Sequence, residues 1–242
     1  MPRKKDLQNA GETAVDEQVG SFLSKVAATP KRGCNTAGRG KVMFALDATA
    51  SRQPTWDKAA TMQGRMFETT AALGGLDIQL AFYRGFGEFK VSQWTNNGTE
   101  LARLMTSVAC LAGETQIQKV LGHAVNEAKQ GQLNALIFVG DSCEEDVDRL
   151  GARAGELGLL GVPAFIFHEG SDPIAQFAFE QIAKLTGGAC CRFDGASADT
   201  LGRLLAAVAA FAAGGRKALE NLAKNEGGAV ALLTNQMRKR SS

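Results

Sequence analysis

The sequence predicts an α/β fold: a doubly wound, mostly parallel six-stranded sheet with one antiparallel edge strand and helices on both faces. Short apolar runs alternate with stretches of helical periodicity along the chain, the pattern of βαβ units. Those runs are apolar throughout instead of at every second residue, as expected of strands covered on both sides. Only DIQLAFYRG and EFKVSQWT are joined by a tight glycine-containing turn, so a single antiparallel strand should lie at an edge.

Each element has its own signal. Val15, Val19, Phe22, Leu23 and Val26 recur at helical spacing, so a short amphipathic helix should lie between the polar segments 1–12 and 30–41. VMFALDAT is the first buried strand. After Pro54, WDKAATMQGRMFETTAALGG has helical periodicity and closes on a glycine pair suited to a C-terminal cap. The hairpin follows, then two helices, TELARLMTSVACL and ETQIQKVLGHAVNEAKQG. NALIFVGD is a second buried strand ending on an acid. EEDVDRLGARAGELGLLG, VPAFIFHEG, PIAQFAFEQIAKLTGG, CCRFDG and ADTLGRLLAAVAAFAAGG then alternate helix, strand, helix, strand and helix. The chain divides into an N-terminal extension with a short helix (1–40), an α/β domain (41–215) and a C-terminal helical extension (216–242). Internal repeats and low-complexity tracts are absent from the sequence.

With 242 residues, 45% of them hydrophobic and 21% charged, the chain can bury a full core in one domain. A net charge of +2 argues against specific nucleic-acid or lipid binding by the body of the protein. The basic clusters PRKK and MRKR near the two ends read as solvated tails. No segment approaches the roughly 18 apolar residues that span a bilayer, and no apolar stretch follows the basic start to form a secretory leader. Cys34, Cys110, Cys143, Cys190 and Cys191 form no C-x-x-C pair, and their odd number suits reduced thiols in a cytoplasm. Cys190 and Cys191 are adjacent in a strand, so they should point to opposite faces and serve packing.

The functional signal is VMFALDATAS. A buried strand there ends in an acid, a threonine and a serine at alternate positions, Asp47, Thr49 and Ser51. Open α/β sheets bind ligands in the crevice beyond the carboxyl ends of their strands. Asp141 ends NALIFVGD at the same edge, and Thr115, in AGETQI, opens a helix whose loop can reach it. Two carboxylates and three hydroxyls would converge there without histidine or thiol. Such an all-oxygen set suits Mg²⁺; Mn²⁺ also fits, and Ca²⁺ is possible although it usually takes more ligands. Read singly, each residue has a plainer use: Asp47 or Ser51, Thr115 and Asp141 could each cap a following helix.

The ordered set Asp47-Ala-Thr49-Ala-Ser51, then Thr115 in GET, then Asp141 in VGDS, resembles the von Willebrand factor A (VWA) family with its metal-ion-dependent adhesion site. The resemblance runs from about Lys41 to about Gly215 and includes FAFEQIAKLTGGACCRFDGASADTL, similar to that family's final helix, glycine turn and strand. It differs in two places: Glu114 precedes Thr115 where glycine is usual, and Gly140-Asp141-Ser142 stands where T-D-G is common. The resemblance implies a non-enzymatic domain whose hydroxyls contact Mg²⁺ while carboxylates often act through water. A protein partner offering an acidic residue would complete the coordination, possibly within an ATPase-linked assembly. Arg52, Glu114, Ser142 and His168 are the residues expected to face that partner.

The enzymatic rival is a Mg²⁺-dependent phosphohydrolase of the haloacid-dehalogenase type, with Asp47 as nucleophile and Asp141 and Asp146 as its later acidic motif. That chemistry wants an acid two residues after the nucleophile, where this chain has Thr49. The glycines match neither a phosphate-binding loop nor a dinucleotide fingerprint. His123 reads as packing, while Trp56 could face a partner or pack beneath its loop. A third reading makes the metal a staple between loops, with binding carried by the terminal extensions.

Overall fold

The computed structural model describes residues 20–29, 39–53, 56–57, 75–131, 133–193 and 198–225. The helix expected after Pro54 lies almost wholly outside these residues, as do Cys34, both basic clusters and the region around Gly227. Among the described residues, β1 (Gly40–Asp47), β2 (Leu76–Arg84), β3 (Glu88–Val91), β4 (Ala135–Gly140), β5 (Ala164–Glu169) and β6 (Ala189–Phe193) form one sheet in the order β3-β2-β1-β4-β5-β6. All neighbours pair in parallel except β2 and β3, which form the predicted antiparallel hairpin at one edge.

Strand alternation distributes the apolar side chains between two cores. Val42, Phe44 and Leu46 of β1, with Ile137 and Val139 of β4, face one side; Met43 and Ala45, with Leu136 and Phe138, face the other. Helix α1 (20–28), α2 (Gly98–Thr106) and α6 (Ala198–Asn225) cover the first side, and α3 (Ile117–Lys129), α4 (Val147–Leu159) and α5 (Pro173–Thr186) cover the second. Cys191 joins the first core and Cys190 packs against the second, as their adjacency in β6 requires.

Side-chain caps set three of the helix starts. Asn97 accepts from the Thr99 and Glu100 amides to begin α2, and Asp172 accepts from Ile174 with Pro173 in the first turn of α5. Asp146 accepts from Asp148 and Arg149. The helix expected from Glu144 therefore begins only at Val147, and Asp141 is left uncapped by any helix role. Gly215, with φ 69°, breaks the helical path of α6.

Helix α1 belongs to the main core. Phe22, Leu23, Val26 and Ala27 are buried, with the Phe22 ring centroid 5.2 Å from Phe167 and 6.2 Å from Phe165. Thr29 Oγ1 fastens the end of this helix to the Gly187 carbonyl at 3.0 Å. Phe22→Ala should accordingly cost roughly 3–5 kcal/mol in urea unfolding, as for other buried phenylalanines. A loss under about 1 kcal/mol would mean that α1 is only loosely docked.

Candidate functional site

The strand order places the site. Connections run outward in opposite directions from β1 and β4, so these adjacent strands make the topological switch point, where the loops after them diverge and leave a crevice. Asp47 is the last residue of β1 and Asp141 follows Gly140, the last of β4.

Asp47 is 1% exposed on the α3–α5 side of the sheet. One carboxylate oxygen accepts the Thr49 amide at 2.7 Å, and the other accepts the hydroxyl of Tyr83 at 3.1 Å. Tyr83 stands opposite Asp47 in the β1–β2 register and is fully buried. Burial raises the Asp47 carboxyl above its ordinary range; the bonds from Thr49 and Tyr83 oppose this, and the charge of Asp141 adds to it. Burial likewise pushes the Tyr83 phenol well above its ordinary value, with Asp47 adding to the shift. Tyr83 thus stays a neutral donor to a carboxylate.

The loop after Asp47 forms a short 3₁₀ turn at Ala50–Arg52, with no side-chain cap from Thr49. Ser51 is exposed, and its hydroxyl donates to Asp141 Oδ2 at 2.8 Å while lying 3.4 Å from Thr49 Oγ1. Ser142 Oγ approaches the other Asp141 oxygen at 3.4 Å. One chain of polar contacts therefore unites Asp47, Thr49, Ser51 and Asp141 across two loops.

Thr115 arrives on a third loop. Its hydroxyl oxygen accepts the Glu144 amide at 3.1 Å, and its own amide donates to Glu144 Oε2 at 3.2 Å. It is thereby fixed to the loop that follows Asp141, though no hydrogen bond joins it to the other four residues. The expected cap role for Thr115 is filled instead by Glu145, whose carboxylate accepts the amides of Ile117 and Gln118 at the start of α3. Backbone contacts lace these loops together: the Leu111 amide donates to the Ala48 carbonyl at 3.0 Å, and the Glu114 amide to the Gly85 carbonyl at 3.3 Å. Gly113 is needed at this junction, since a Cβ there would overlap the Gly85 carbonyl.

Of the four residues expected to face a partner, Glu114 is exposed and Ser142 half-buried, but the other two are not at the surface. Arg52 is 2% exposed and forms an ion pair with Glu169 at the end of β5, so its charge anchors the loop instead of reaching outward. His168 is completely buried with its ring edge-on to Phe179, because its place in β5 points it into the α5 side of the core. Trp56 packs beneath the loop and donates to the Met105 carbonyl at 2.8 Å. His123 packs beside Phe89 and shares a 2.8 Å hydrogen bond with Gln79. Tyr83, Glu144, Glu145 and Glu169 carried no sequence signal; their roles depend on register and on loops meeting in space.

The donor set fits a hard cation: two carboxylates sit close enough to repel, and neutral hydroxyls lie between them. Among the described residues, no three His, Cys, Asp or Glu side chains are grouped to hold a metal, so an ion here would depend on hydroxyl ligands.

The chain has the fold of the VWA domains. It is similar to the VWA domain of SpRpn10, with 12% identity and a TM-score of 0.54 over 68% of this chain and 94% of that one. It is also similar to the von Willebrand factor type A protein from Catenulispora acidiphila, at 14% identity and TM-score 0.58, covering 72% of this chain and 43% of the other. The open conformation of the pilus adhesin SpaC from Lactobacillus rhamnosus GG shares 11% identity at TM-score 0.56, over 80% of this chain and 31% of SpaC. The chain thus spans under half the length of those two proteins. No family model and no curated protein match the sequence. None of the helices among the described residues is long and apolar enough to cross a membrane.

Two consequences can be measured. With the Asp47 carboxyl raised in the folded state, its ionisation costs stability as pH rises through that raised value, and costs nothing below about 3.9, the unfolded pKa. In chelator, Asp47→Asn should be more stable than wild type at neutral pH, with the difference vanishing in acid; urea midpoints across pH read this directly. For the Arg52–Glu169 pair, the arginine side chain is 3% exposed and the glutamate 20%. Removing Glu169 strands the deeper charge, so Glu169→Ala should cost roughly 3–5 kcal/mol and Arg52→Met clearly less.

Proposed function

We propose that this chain is a metal-dependent protein-interaction module, serving as an adaptor or assembly domain. Asp47, Thr49, Ser51, Thr115 and Asp141 would hold Mg²⁺, with Mn²⁺ an acceptable substitute, and an acidic side chain of a partner protein would be captured there. The observation that carries this reading is the Ser51–Asp141 bond, which brings hydroxyls from the β1 loop onto the carboxylate after β4. When bound, the cation offers a carboxylate oxygen a strong, direction-dependent coordination position.

The chain's own groups divide the remaining work. The bonds from Tyr83 and the Thr49 amide favour the ionised form of Asp47 against the cost of its burial and fix its orientation beneath the edge. Arg52, through Glu169, holds the 3₁₀ turn that presents Ser51. Glu144 and Glu145 hold the Thr115 loop against the loop after Asp141. Neutral hydroxyls in place of further carboxylates leave more of the ion's charge for a partner. The likeness to a pilus adhesin supports an adhesive role for the fold, and a cytoplasmic setting beside an ATPase-linked assembly is part of the same proposal.

The geometry disfavours the phosphohydrolase. Asp47 is almost inaccessible and both its oxygens already accept hydrogen bonds, which is poor placement for an attacking nucleophile.

Thermal unfolding with and without magnesium tests the proposal. Saturating Mg²⁺ at about one hundred times its Kd should add about 2.7 kcal/mol to wild type. Asp47→Ala and Ser51→Ala should lose that increment while still folding, and chelator should release captured partners in pull-downs. Absence of any Mg²⁺ or Mn²⁺ response sinks the reading, and aryl-phosphate hydrolysis abolished by Asp47→Asn would replace it with the enzymatic one.

A further inference from the structure

Phe86, at the tip of the β2–β3 hairpin, is 82% exposed, and Leu111, on the loop leading to Thr115, is 46% exposed. Neither is needed by the backbone it sits on. Gly85 and Gly87, with φ 55° and 97°, make the turn, and the position between them would ordinarily be polar. Both side chains belong to loops that frame the site: Leu111 is hydrogen-bonded to Ala48, between Asp47 and Thr49, and the hairpin tip is tied to the Thr115 loop through Glu114. The Lys119 ammonium adds a second tie, donating to the Gly87 carbonyl at 2.8 Å. Beside the tip, an open cleft of about 530 Å³ runs along the start of α3, lined by Gly87, Glu114, Thr115, Lys119 and Glu145 among others. Singly exposed apolar side chains are common, but apolar surface rimmed by polar groups marks interaction sites, and these two stand on loops bonded to the same polar centre.

Charge restricts what can occupy this surface. Asp47, Glu114, Asp141, Glu144 and Glu145 bring five carboxyls to this edge, against which Lys119 and Arg153 are the cations lining the cleft. An acidic segment is repelled by such an edge unless a divalent ion is present to receive it. Coordination of one carboxylate, moreover, distinguishes poorly among acidic partners, and neighbouring contacts must supply the selectivity. The geometry points to a composite recognition surface: an acidic side chain of an extended partner segment at the cation, and an apolar side chain a few residues away against Phe86 and Leu111. This rests on the interaction-module reading above and names the chemistry of its partner.

A position-scanning library of soluble heptapeptides with a fixed central aspartate or glutamate, screened against the full chain in magnesium, tests it. Hits are then measured by fluorescence anisotropy on wild type, Phe86→Ser, Leu111→Ser and Ser51→Ala, with and without EDTA. The expected hits require Phe, Leu, Met or Tyr near the acid. They should weaken roughly tenfold on Phe86→Ser or Leu111→Ser, while the Mg²⁺ thermal shift of those two variants stays at the wild-type value. Hits without an apolar preference, hits that bind both serine variants as tightly as wild type, or no hits at all overturn the composite surface. Magnesium-dependent binding lost in Ser51→Ala but indifferent to Phe86 and Leu111 refutes the apolar part and leaves the interaction module standing. Apolar-dependent binding that ignores EDTA and Ser51→Ala supports the Phe86–Leu111 surface and refutes the metal reading.

Discussion

Asp47 is a carboxylate kept beneath the carboxyl edge of the sheet by one amide and one phenol, with no basic side chain among its hydrogen-bond partners. A buried anion in that situation is costly, and the construction around it reads as compensation for that cost. The β1–β2 register brings Tyr83 alongside, and the turn after β1 aims the Thr49 amide back at the acid. The charge of Asp141 is of the wrong sign and raises the cost further. A protein that retains two neighbouring acids, when a single asparagine would be easier to bury, keeps a place whose electrostatics improve when a positive charge arrives.

The loops that surround Asp47 are stiffened by side chains far off in sequence. Arg52 reaches Glu169 across 117 residues, and Glu145 reaches the first amides of α3 across 28. These are charge-assisted bonds made in partly dry surroundings, where they hold geometry better than exposed pairs do. The hydroxyls of Thr49 and Ser51, 3.4 Å apart, are thereby carried on a short turn braced from beneath. Such bracing favours ordered ligand geometry over adaptability.

Strand identities and the sheet's composition were legible because continuous apolar runs have few other uses in a chain of this size. Asp47, Thr49, Ser51 and Asp141 were legible because a strand end fixes where a residue lies even when its neighbours are unknown. What remained hidden depends on register or burial. That Tyr83 faces Asp47 follows from a one-residue choice in strand pairing, which sequence spacing does not disclose. Arg52 reads as available because it follows Ser51 closely, and His168 because it stands near the end of its strand, FIFHEG. One is drawn inward by Glu169, and the other follows the alternation of β5 into the core. Helix α4 starts three residues later than the sequence predicts because Glu144 and Glu145 resemble first-turn helix acids but serve the neighbouring loop.

At the amino end of β1, Gly40 lies so close to the backbone of Ala213 that a side chain there would collide with it. The long helix α6 therefore reaches the margin of the sheet opposite the Asp47 crevice just before its path breaks at Gly215. The break at Gly215 therefore lies near the pole of the sheet away from that crevice. A side chain at position 40 would thus disturb α6 at one pole of the sheet and leave the oxygen-rich pole, at the other end of β1, unaltered.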